Sequence, residues 1–339
     1  MLCPAEKALA RSNAYGLLAR LLLGEINEET LALCEVVPEI ADLWRETYGD
    51  FSEGSADEAA ADHFALFGRQ VFPYGGYFLN RDGLVGGEET TRVLEIFQDQ
   101  GFDPPSLDSH SADHIGVELQ FLGYLAYRQA WALGDDKSEA AQFYERQQRT
   151  FIHDHMLQWL LPLYVAVSKE PFPFWFKILN LVLALLNDHL KDLEAYTRRE
   201  VAPEPWSQED LQAWLQQPET GLGSIVRRLA HPAESGFHLS QGQIKDLAAG
   251  AGIPLSFDTR EAAIKSLIET AGDYEVLPRL LELMINVSQE WVAGLQSLGE
   301  PMEPWAFTWR QKLQQTAFIL EQMKSTTLKS QQHSPESST

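Results

Sequence analysis

The stretch ADHIGVELQFLGYLA, residues 112–126, decides how this chain can fold. Bulky apolar residues fill most of it at helical spacing, on both sides of the helix that they predict. A helix that is apolar around most of its circumference lies in the centre of a domain. Three ionisable side chains, Asp113, His114 and Glu118, stand near its beginning, and buried ionisable groups are unfavourable unless they are paired. The stretch therefore predicts a central helix with a polar cluster at its N-terminal end.

The composition is that of an ordinary globular protein with a strongly acidic surface. The 339 residues are 45% hydrophobic and 22% charged, and the formal net charge at pH 7 is −23. Such a charge repels nucleic acid and anionic membranes, and it favours basic partners, including peptides that carry Lys or Arg. We therefore predict neither nucleic-acid binding nor stable insertion into a membrane.

Cysteine content and the N-terminal residues indicate a cytoplasmic protein. Cys3 and Cys34 are too few for a disulfide framework or a four-cysteine metal site. Glu6, Lys7 and Arg11 lie where a signal peptide needs an unbroken apolar stretch. No apolar run reaches the roughly 18 residues of a membrane span. The sequence predicts a cytoplasmic location and a reducing compartment.

Helix signals dominate the chain, and strand signals are few. Apolar spacing, first-turn prolines and closing glycines predict helices at 4–23, 27–37, 38–49, 58–68, 88–101, 136–168, 174–198 and about 304–324. The acidic segment 50–57 is predicted as a loop. VFPYGGYFL, residues 71–79, has residue types typical of strands, but Pro73 and two adjacent glycines favour an ordered loop. The fold class is therefore predicted as all-α.

A shift in composition near residue 200 predicts two helical regions. Residues 1–200 are predicted as one helical domain, and the proline-rich, polar residues 201–222 as a linker. Residues 223–325 are predicted as a smaller C-terminal helical extension. Residues 326–339 contain almost no apolar side chains and are predicted to be a disordered tail.

A metal site is one interpretation of the polar cluster. His110, His114 and Glu118 are spaced by four residues, and His155 could add a ligand, as in a helical-bundle metalloenzyme. The chain lacks the paired Glu-x-x-His motifs of such bundles, and it also lacks HExxH, CxxC, GxSxG, a P-loop and GxGxxG. We therefore predict no metal and no cofactor, and keep the metalloenzyme as the alternative.

Several segments together resemble one known family. DHIGVELQFLGYLA resembles the Asp-His-x-x-x-Glu-x-x-Phe segment of the TorD/DmsD/NarJ family of redox-enzyme maturation proteins, the TorD-like chaperones. The other segments that agree in order and spacing are ADHFALF (61–67), FPYGGYFL (72–79), ETTRVLEIFQDQGFDP (89–104) and RTFIHDHMLQWLLPL (149–163). The resemblance covers roughly residues 5–190, and the region after residue 200 is longer than in small members of the family.

The resemblance implies a chaperone and not an enzyme. It implies an all-α TorD-like domain followed by a second, smaller helical region. Proteins of this family bind the twin-arginine signal peptide, or another part, of a molybdopterin-containing oxidoreductase catalytic subunit in the cytoplasm. They assist cofactor insertion and delay export. The resemblance leaves open whether the protein is a monomer or a domain-swapped homodimer.

The peptide that such a protein binds also suggests which residues bind it. Two adjacent guanidinium groups followed by an apolar segment require carboxylates beside an aromatic groove. The residues that we expect to bind the peptide or the client are Asp62, His63, Phe67, Tyr74, Tyr77, Asp113, His114, Glu118 and Phe121. We interpret Asp113, His114 and Glu118 as the polar mouth of a peptide-binding groove.

Overall fold

The structure, a computed structural model, describes residues 2–193, 206–255, 259–300 and 302–333. Contacts divide the chain into two compact units, Met1–Val201 and Ala202–Thr339. The described residues form helices joined by turns, with no strand among them, and the prediction of an all-α fold is confirmed. None of the described helices is long and apolar enough to cross a membrane.

Ten α-helices of the first unit lie in the described residues. They are α1 (Pro4–Leu22), α2 (Glu28–Val36), α3 (Pro38–Tyr48), α4 (Glu53–Ala65), α5 (Gly75–Leu79), α6 (Glu88–Asp99), α7 (Ile115–Gly134), α8 (Ser138–Phe151), α9 (Leu157–Ser168) and α10 (Pro173–Asp192). Pro38 and Pro173 occupy first-turn positions, where the missing N–H has no intrahelical partner to lose. Of the helix predicted at 174–198, residues 194–198 lie outside the described part of the chain.

Helix α7 is the central helix that its composition predicts. One side of α7 packs along α1, and another side packs against α8. The closest approach to α1 is at Gly116, where a Cβ atom would lie 2.5 Å from Cγ of Leu23 and 3.0 Å from the carbonyl oxygen of Ala19. Only glycine fits this position without moving α1, because the backbone of one helix lies against the backbone of the other.

Gly116→Ala is therefore expected to lower the free energy of unfolding by about 1–3 kcal/mol, the usual effect of overpacking. Urea denaturation, followed by circular dichroism, measures the change. Gly134→Ala in the same helix is the matched control, since a Cβ there meets nothing within 4 Å. A loss of stability in the control equal to that in Gly116→Ala would contradict the packing argument.

Two π-helical turns extend helices of the first unit. Leu66–Gln70 continues α4, and Ile152–Met156 joins α8 to α9 without a break. The helix predicted at 136–168 is thus α8, a π turn and α9 in sequence. A π turn adds a residue to the helical repeat and is frequent at functional sites. Here it lies where His155 turns inward.

Two segments predicted as loops are partly helical. In the acidic segment 50–57, Ser52 and Ser55 cap each other reciprocally, so that α4 begins at Glu53 and the prediction is wrong there. In the segment 71–79, α5 occupies the second half. The extended residue before it, Tyr74, forms an isolated antiparallel bridge with His114.

The second unit is also helical. Its described helices are α11 (Gln208–Leu215), α12 (Leu222–Ala230), α13 (Pro232–Ser235), α14 (Gln241–Ala251), α15 (Arg260–Asp273), α16 (Leu277–Gln296) and α17 (Glu303–His333). Helices α16 and α17 pack along each other and bury Trp291 and Trp309. The guanidinium of Arg228 lies 5.3 Å from the ring of Trp206 and 5.8 Å from that of Trp214.

The structure differs from the predicted linker and tail. Within 201–222, α11 forms because Ser207 caps it by accepting a hydrogen bond from the Asp210 N–H, and Leu211 is buried. Residues 201–205 of this linker lie outside the described part of the chain. The last helix continues through 326–333 because no glycine or proline interrupts the sequence there. The prediction of disorder for 334–339 also lies outside the described residues.

Candidate functional site

Asp113 connects three parts of the first unit. Its side chain is 0% exposed. One carboxylate oxygen, Oδ2, accepts a hydrogen bond of 2.7 Å from the backbone N–H of Gly76, and Oδ1 accepts one of 2.7 Å from the hydroxyl of Thr90. The backbone carbonyl of Asp113 accepts a further hydrogen bond from the N–H of Gly75, at 2.8 Å. Asp113 thereby fixes the start of α5 and the first turn of α6 to the beginning of α7.

His114 is the N-cap of α7. Its Nδ1 accepts a hydrogen bond of 3.1 Å from the N–H of Gly116, one of the amides left unpaired at a helix start. An accepting Nδ1 carries no proton, and burial also lowers the pKa of His114 well below its ordinary value. The ring packs 4.9 Å from that of Tyr74 and 4.8 Å from that of His110. His114 is therefore a neutral, buried cap and not an acid or base at neutral pH.

Glu118 pairs with His155 in the interior. Its Oε1 lies 2.6 Å from Nε2 of His155, and both side chains are buried. Burial raises the pKa of Glu118 to about 7, because the charged form loses its hydration. Burial alone would lower the pKa of His155, but the charges and hydrogen bonds of Glu118 and Glu89 outweigh it and raise that pKa to about 9.

Two residues at the start of α6 complete this network. Oε1 of Glu89 lies 2.7 Å from Nδ1 of His155 and 2.5 Å from Nη2 of Arg92. Burial would raise the pKa of Glu89, but the hydrogen bond and charge of His155, with the charge of Arg92, lower it. We call Glu118, His155, Glu89 and Arg92 the buried ion network. It joins α7, the second π turn and α6.

The aromatic residues predicted to line a groove lie mostly in the interior. Phe67, Tyr77 and Phe121 are each no more than 4% exposed. The Phe67 ring packs against Trp175, with centroids 6.2 Å apart. Tyr74 is half-buried, with its ring against His114. Of these four aromatic residues, Tyr74 is the one that is partly exposed.

Asp62 and His63 lie on α4 and are half-buried. The hydroxyl of Tyr48 donates a hydrogen bond of 3.1 Å to Oδ2 of Asp62. Nε2 of His63 lies 3.0 Å from the carbonyl oxygen of Leu22, and burial lowers the pKa of this histidine. Both side chains thus hold α4 against its neighbours while part of each remains accessible.

The structure brings Asp113, His114 and Tyr74 together but turns Glu118 away from them, towards His155. In this conformation Asp113, His114 and Glu118 are supports beneath the surface, so none of them lines an open mouth. The sequence interpretation did not include Thr90, Glu89 and Arg92 as partners of these groups. One signal was available, since Glu89 and Arg92 are three residues apart on an amphipathic helix.

The described residues do not support the metalloenzyme alternative. No group of three or more His, Cys, Asp or Glu side chains in them is placed to hold a metal ion. His110 lies in the turn before α7 and not on the helix. The nitrogens of His155 are both within hydrogen-bond distance of carboxylates, and those of His114 include the one that caps α7.

Exposed apolar side chains lie on the segments next to Asp113. Asn80 donates a hydrogen bond of 3.1 Å to the carbonyl of Leu84, which folds the loop 80–87 over Gly76. The exposed apolar side chains of this region are Phe72, Leu84 and Val85, and Tyr74 is half-buried. We call Phe72, Tyr74, Leu84 and Val85 the apolar rim. Asp113 holds it in place through Gly75 and Gly76.

Comparison with known proteins places this cluster in a matched region. Residues 27–164 match the sequence profile of the family described as nitrate reductase delta subunit, and all the residues of the site lie in this range. Among curated proteins, the chain is 31% identical over 133 residues to the chaperone protein TorD of Vibrio vulnificus (strain CMCP6), covering 38% of this chain and 60% of that protein. It is 27% identical over 125 residues to the chaperone protein TorD of Aliivibrio fischeri, covering 36% and 56%.

A third relative is matched over more of its length. The chain is 25% identical over 211 residues to the chaperone protein TorD of Shewanella sp. (strain ANA-3), covering 55% of this chain and 94% of that protein. The chain spans 56% of the length of the Aliivibrio fischeri protein and 60% of that of the Vibrio vulnificus protein. No solved structure matches the chain at a significant level.

Proposed function

Because the chain is a member of the TorD-like family of redox-enzyme maturation chaperones, we propose that it acts by binding and not by catalysis. Its client is the apo form of a molybdopterin-containing oxidoreductase catalytic subunit, bound in the cytoplasm with or through its twin-arginine signal peptide. The chaperone assists insertion of the cofactor and delays export of the client. The observation that carries this proposal is that the matched region, residues 27–164, contains every residue of the buried cluster.

The acidic charge supports a basic client segment. At a formal net charge of −23, the protein attracts the paired arginines of a signal peptide, and carboxylates bind guanidinium groups in bidentate fashion. On the first unit, the half-buried Asp62 and Glu25 supply carboxylates. The apolar side chains of the rim supply contact area that would otherwise face water.

The residues predicted to contact the peptide divide into two roles in this proposal. Tyr74, Asp62 and His63 are accessible enough to touch the client. Asp113, His114, Glu118, Phe67, Tyr77 and Phe121 position the surface that does so. Asp113→Ala and His114→Ala are accordingly expected to weaken client binding by releasing the loop above them, and Tyr74→Ala by removing a contact.

Binding of a labelled signal peptide, followed by fluorescence anisotropy, tests the proposal. A peptide with paired arginines and an apolar segment is expected to bind at low salt, and more weakly as salt screens the charges. Replacing both arginines by lysines is expected to weaken binding, since an ammonium group cannot pair bidentately. Tyr74→Ala is expected to weaken binding of the apo-subunit about tenfold, the effect of losing a central aromatic contact.

A scrambled peptide of the same composition is the control for non-specific attraction. Purified apo-subunit without its signal peptide is the second ligand, because family members hold either part of the client. The proposal fails if neither the signal peptide nor the apo-subunit binds at low ionic strength, where charge pairing is strongest.

A further inference from the structure

A groove runs between the beginning of α1 and the end of α7. Its volume is about 400 Å³, and the residues that line it include Glu6, Leu9, Tyr127, Trp131, Gly134 and Asp135. It lies at the opposite end of α7 from the apolar rim. A helix of 20 residues is about 30 Å long, so the two surfaces are separate.

The groove exposes side chains that a folded protein normally buries. Trp131 is 59% exposed, Tyr127 44% and Leu9 43%, whereas Trp44, Trp159 and Trp175 of the same unit are fully buried. The rings of Tyr127 and Trp131 lie side by side, with centroids 6.3 Å apart. Single exposed apolar residues are common, but three large ones around one groove indicate a binding surface.

The charges at the end of the groove specify a basic partner. Glu6 and Asp135 line it, and the adjoining Asp136 and Glu139 are exposed. Lys137 lies 2.9 Å from Oδ2 of Asp135, so these four carboxylates outnumber the one ammonium group paired among them. A second copy of this chain would bring the same carboxylates and the same net charge to the contact, which disfavours self-association. A partner that joins an apolar face to a flanking Lys or Arg complements both features of the groove.

We propose that this α1/α7 groove receives the apolar segment of the client's signal peptide as a helix, with a basic residue of the peptide beside Glu6 and Asp135. This inference rests on the function proposed above and names where the peptide is held. Trp131 and Tyr127 provide the central contacts, because large aromatic side chains contribute most of the binding energy in such surfaces. The apolar rim is then a separate contact surface, available to the rest of the client.

Anisotropy titrations of a labelled twin-arginine signal peptide test this assignment in the full-length chain. Trp131→Ala and Tyr127→Ala are each expected to weaken binding about tenfold or more. Asp135→Asn is expected to reduce the dependence of binding on salt. Val36→Ala is the matched control, since Val36 is 74% exposed on α2 and lies outside the groove. Circular dichroism confirms that each variant is folded.

A proximity measurement adds an independent readout. Cys3 is exposed next to Glu6, whose carboxylate accepts a hydrogen bond of 2.8 Å from the Cys3 N–H, and Cys34 is buried. A signal peptide with an activated disulfide beside its basic residues is expected to form a mixed disulfide with Cys3, losing its leaving thiol. Trp131→Ala is expected to slow this reaction, and Val36→Ala to leave it unchanged.

The possible results separate the two proposals. If the wild-type protein binds the peptide and both groove variants bind it equally well, the groove assignment is overturned while the chaperone function stands. If the wild-type protein binds the apo-subunit but no signal peptide, the groove assignment is again overturned. If it binds neither, both proposals fail. A change of molecular mass in Trp131→Ala by sedimentation would instead make the groove an interface between copies and overturn the assignment.

Discussion

Asp113→Ala is expected to lower the free energy of unfolding by about 2–5 kcal/mol, because two buried donors lose their carboxylate acceptor. These donors are the N–H of Gly76 and the hydroxyl of Thr90, each 2.7 Å from a carboxylate oxygen. Alanine also leaves a void that the surrounding backbone cannot fill. The same change releases the loop that carries part of the apolar rim, so we expect stability and client binding to fall together.

Urea denaturation measures the loss of stability, and hydrogen exchange at the amide of Gly76 localises it. Asp108→Ala is the matched control, since Asp108 is exposed in the short 3₁₀ turn that precedes α7. Its effect should stay within about 0.5 kcal/mol, as for most surface substitutions. Equal stability of the two variants, with unchanged exchange at Gly76, would show that Asp113 does not hold this loop.

His155→Gln is expected to destabilise the protein by about 3–5 kcal/mol near pH 7, the usual effect of removing one partner from a buried ion pair. Glu118 and Glu89 would then lose the positive charge between them. Glutamine keeps a polar side chain of similar size, so the loss reports mainly on charge. His110→Gln, at a half-buried histidine in the turn before α7, is the control and should change stability little.

The buried ion network also gives the stability a dependence on pH. The pKa of His155 is raised to about 9 in the folded state, whereas it is about 6.5 in the unfolded state. As the pH rises, the unfolded state therefore releases this proton at a lower pH than the folded state does. The stabilisation is complete below about pH 6.5 and is lost as the pH rises through 9. The pKa of Glu118 is also raised, to about 7, so this group likewise makes the free energy of unfolding fall as the pH rises from about 4.5 to 7.

Glu89 acts in the opposite direction. Its pKa is lowered, so its contribution is present above its unfolded value and is lost as the pH falls through the folded one. Comparing the wild-type protein with His155→Gln from pH 7 to 9 isolates His155 by difference, because Lys312, whose pKa burial lowers to about 8, titrates in both proteins. We expect the wild-type free energy of unfolding to fall by up to about 1.4 kcal/mol per pH unit there. The His155→Gln variant should lack this slope, and an unchanged slope in it would assign the effect to other groups.

The helices could be predicted because their signals are local. First-turn prolines at Pro38 and Pro173 and apolar spacing in α1 and α7 place these elements close to where the structure has them. The prediction was wrong for the first turn of α4, where acidic composition suggested a loop. There the reciprocal caps of Ser52 and Ser55 begin a helix despite the polar sequence.

The candidate site was only partly predictable. The spacing of Asp113, His114 and Glu118 placed them at the start of α7, and the apolar residues around them marked the helix as central. The direction of each side chain and its partner could not follow from spacing. His155 lies 37 residues from Glu118 along the chain, and the amide bonded to Asp113 lies 37 residues away at Gly76. A sequence pattern records which face of a helix a residue occupies, but not which neighbour packs on that face.

By itself, then, the sequence determined the all-α fold, the central position of α7 and the acidic character of the surface. These follow from hydrophobic periodicity, capping residues and net charge, which are properties of neighbouring residues or of composition. Only the tertiary structure decided that Asp113, His114 and Glu118 are buried and that Trp131 and Tyr127 remain exposed. Burial depends on which helices pack together, and partners for buried charges come from segments distant in the chain. The ionisable residues of ADHIGVELQFLGYLA are therefore buried supports, and the exposed apolar side chains lie on other residues.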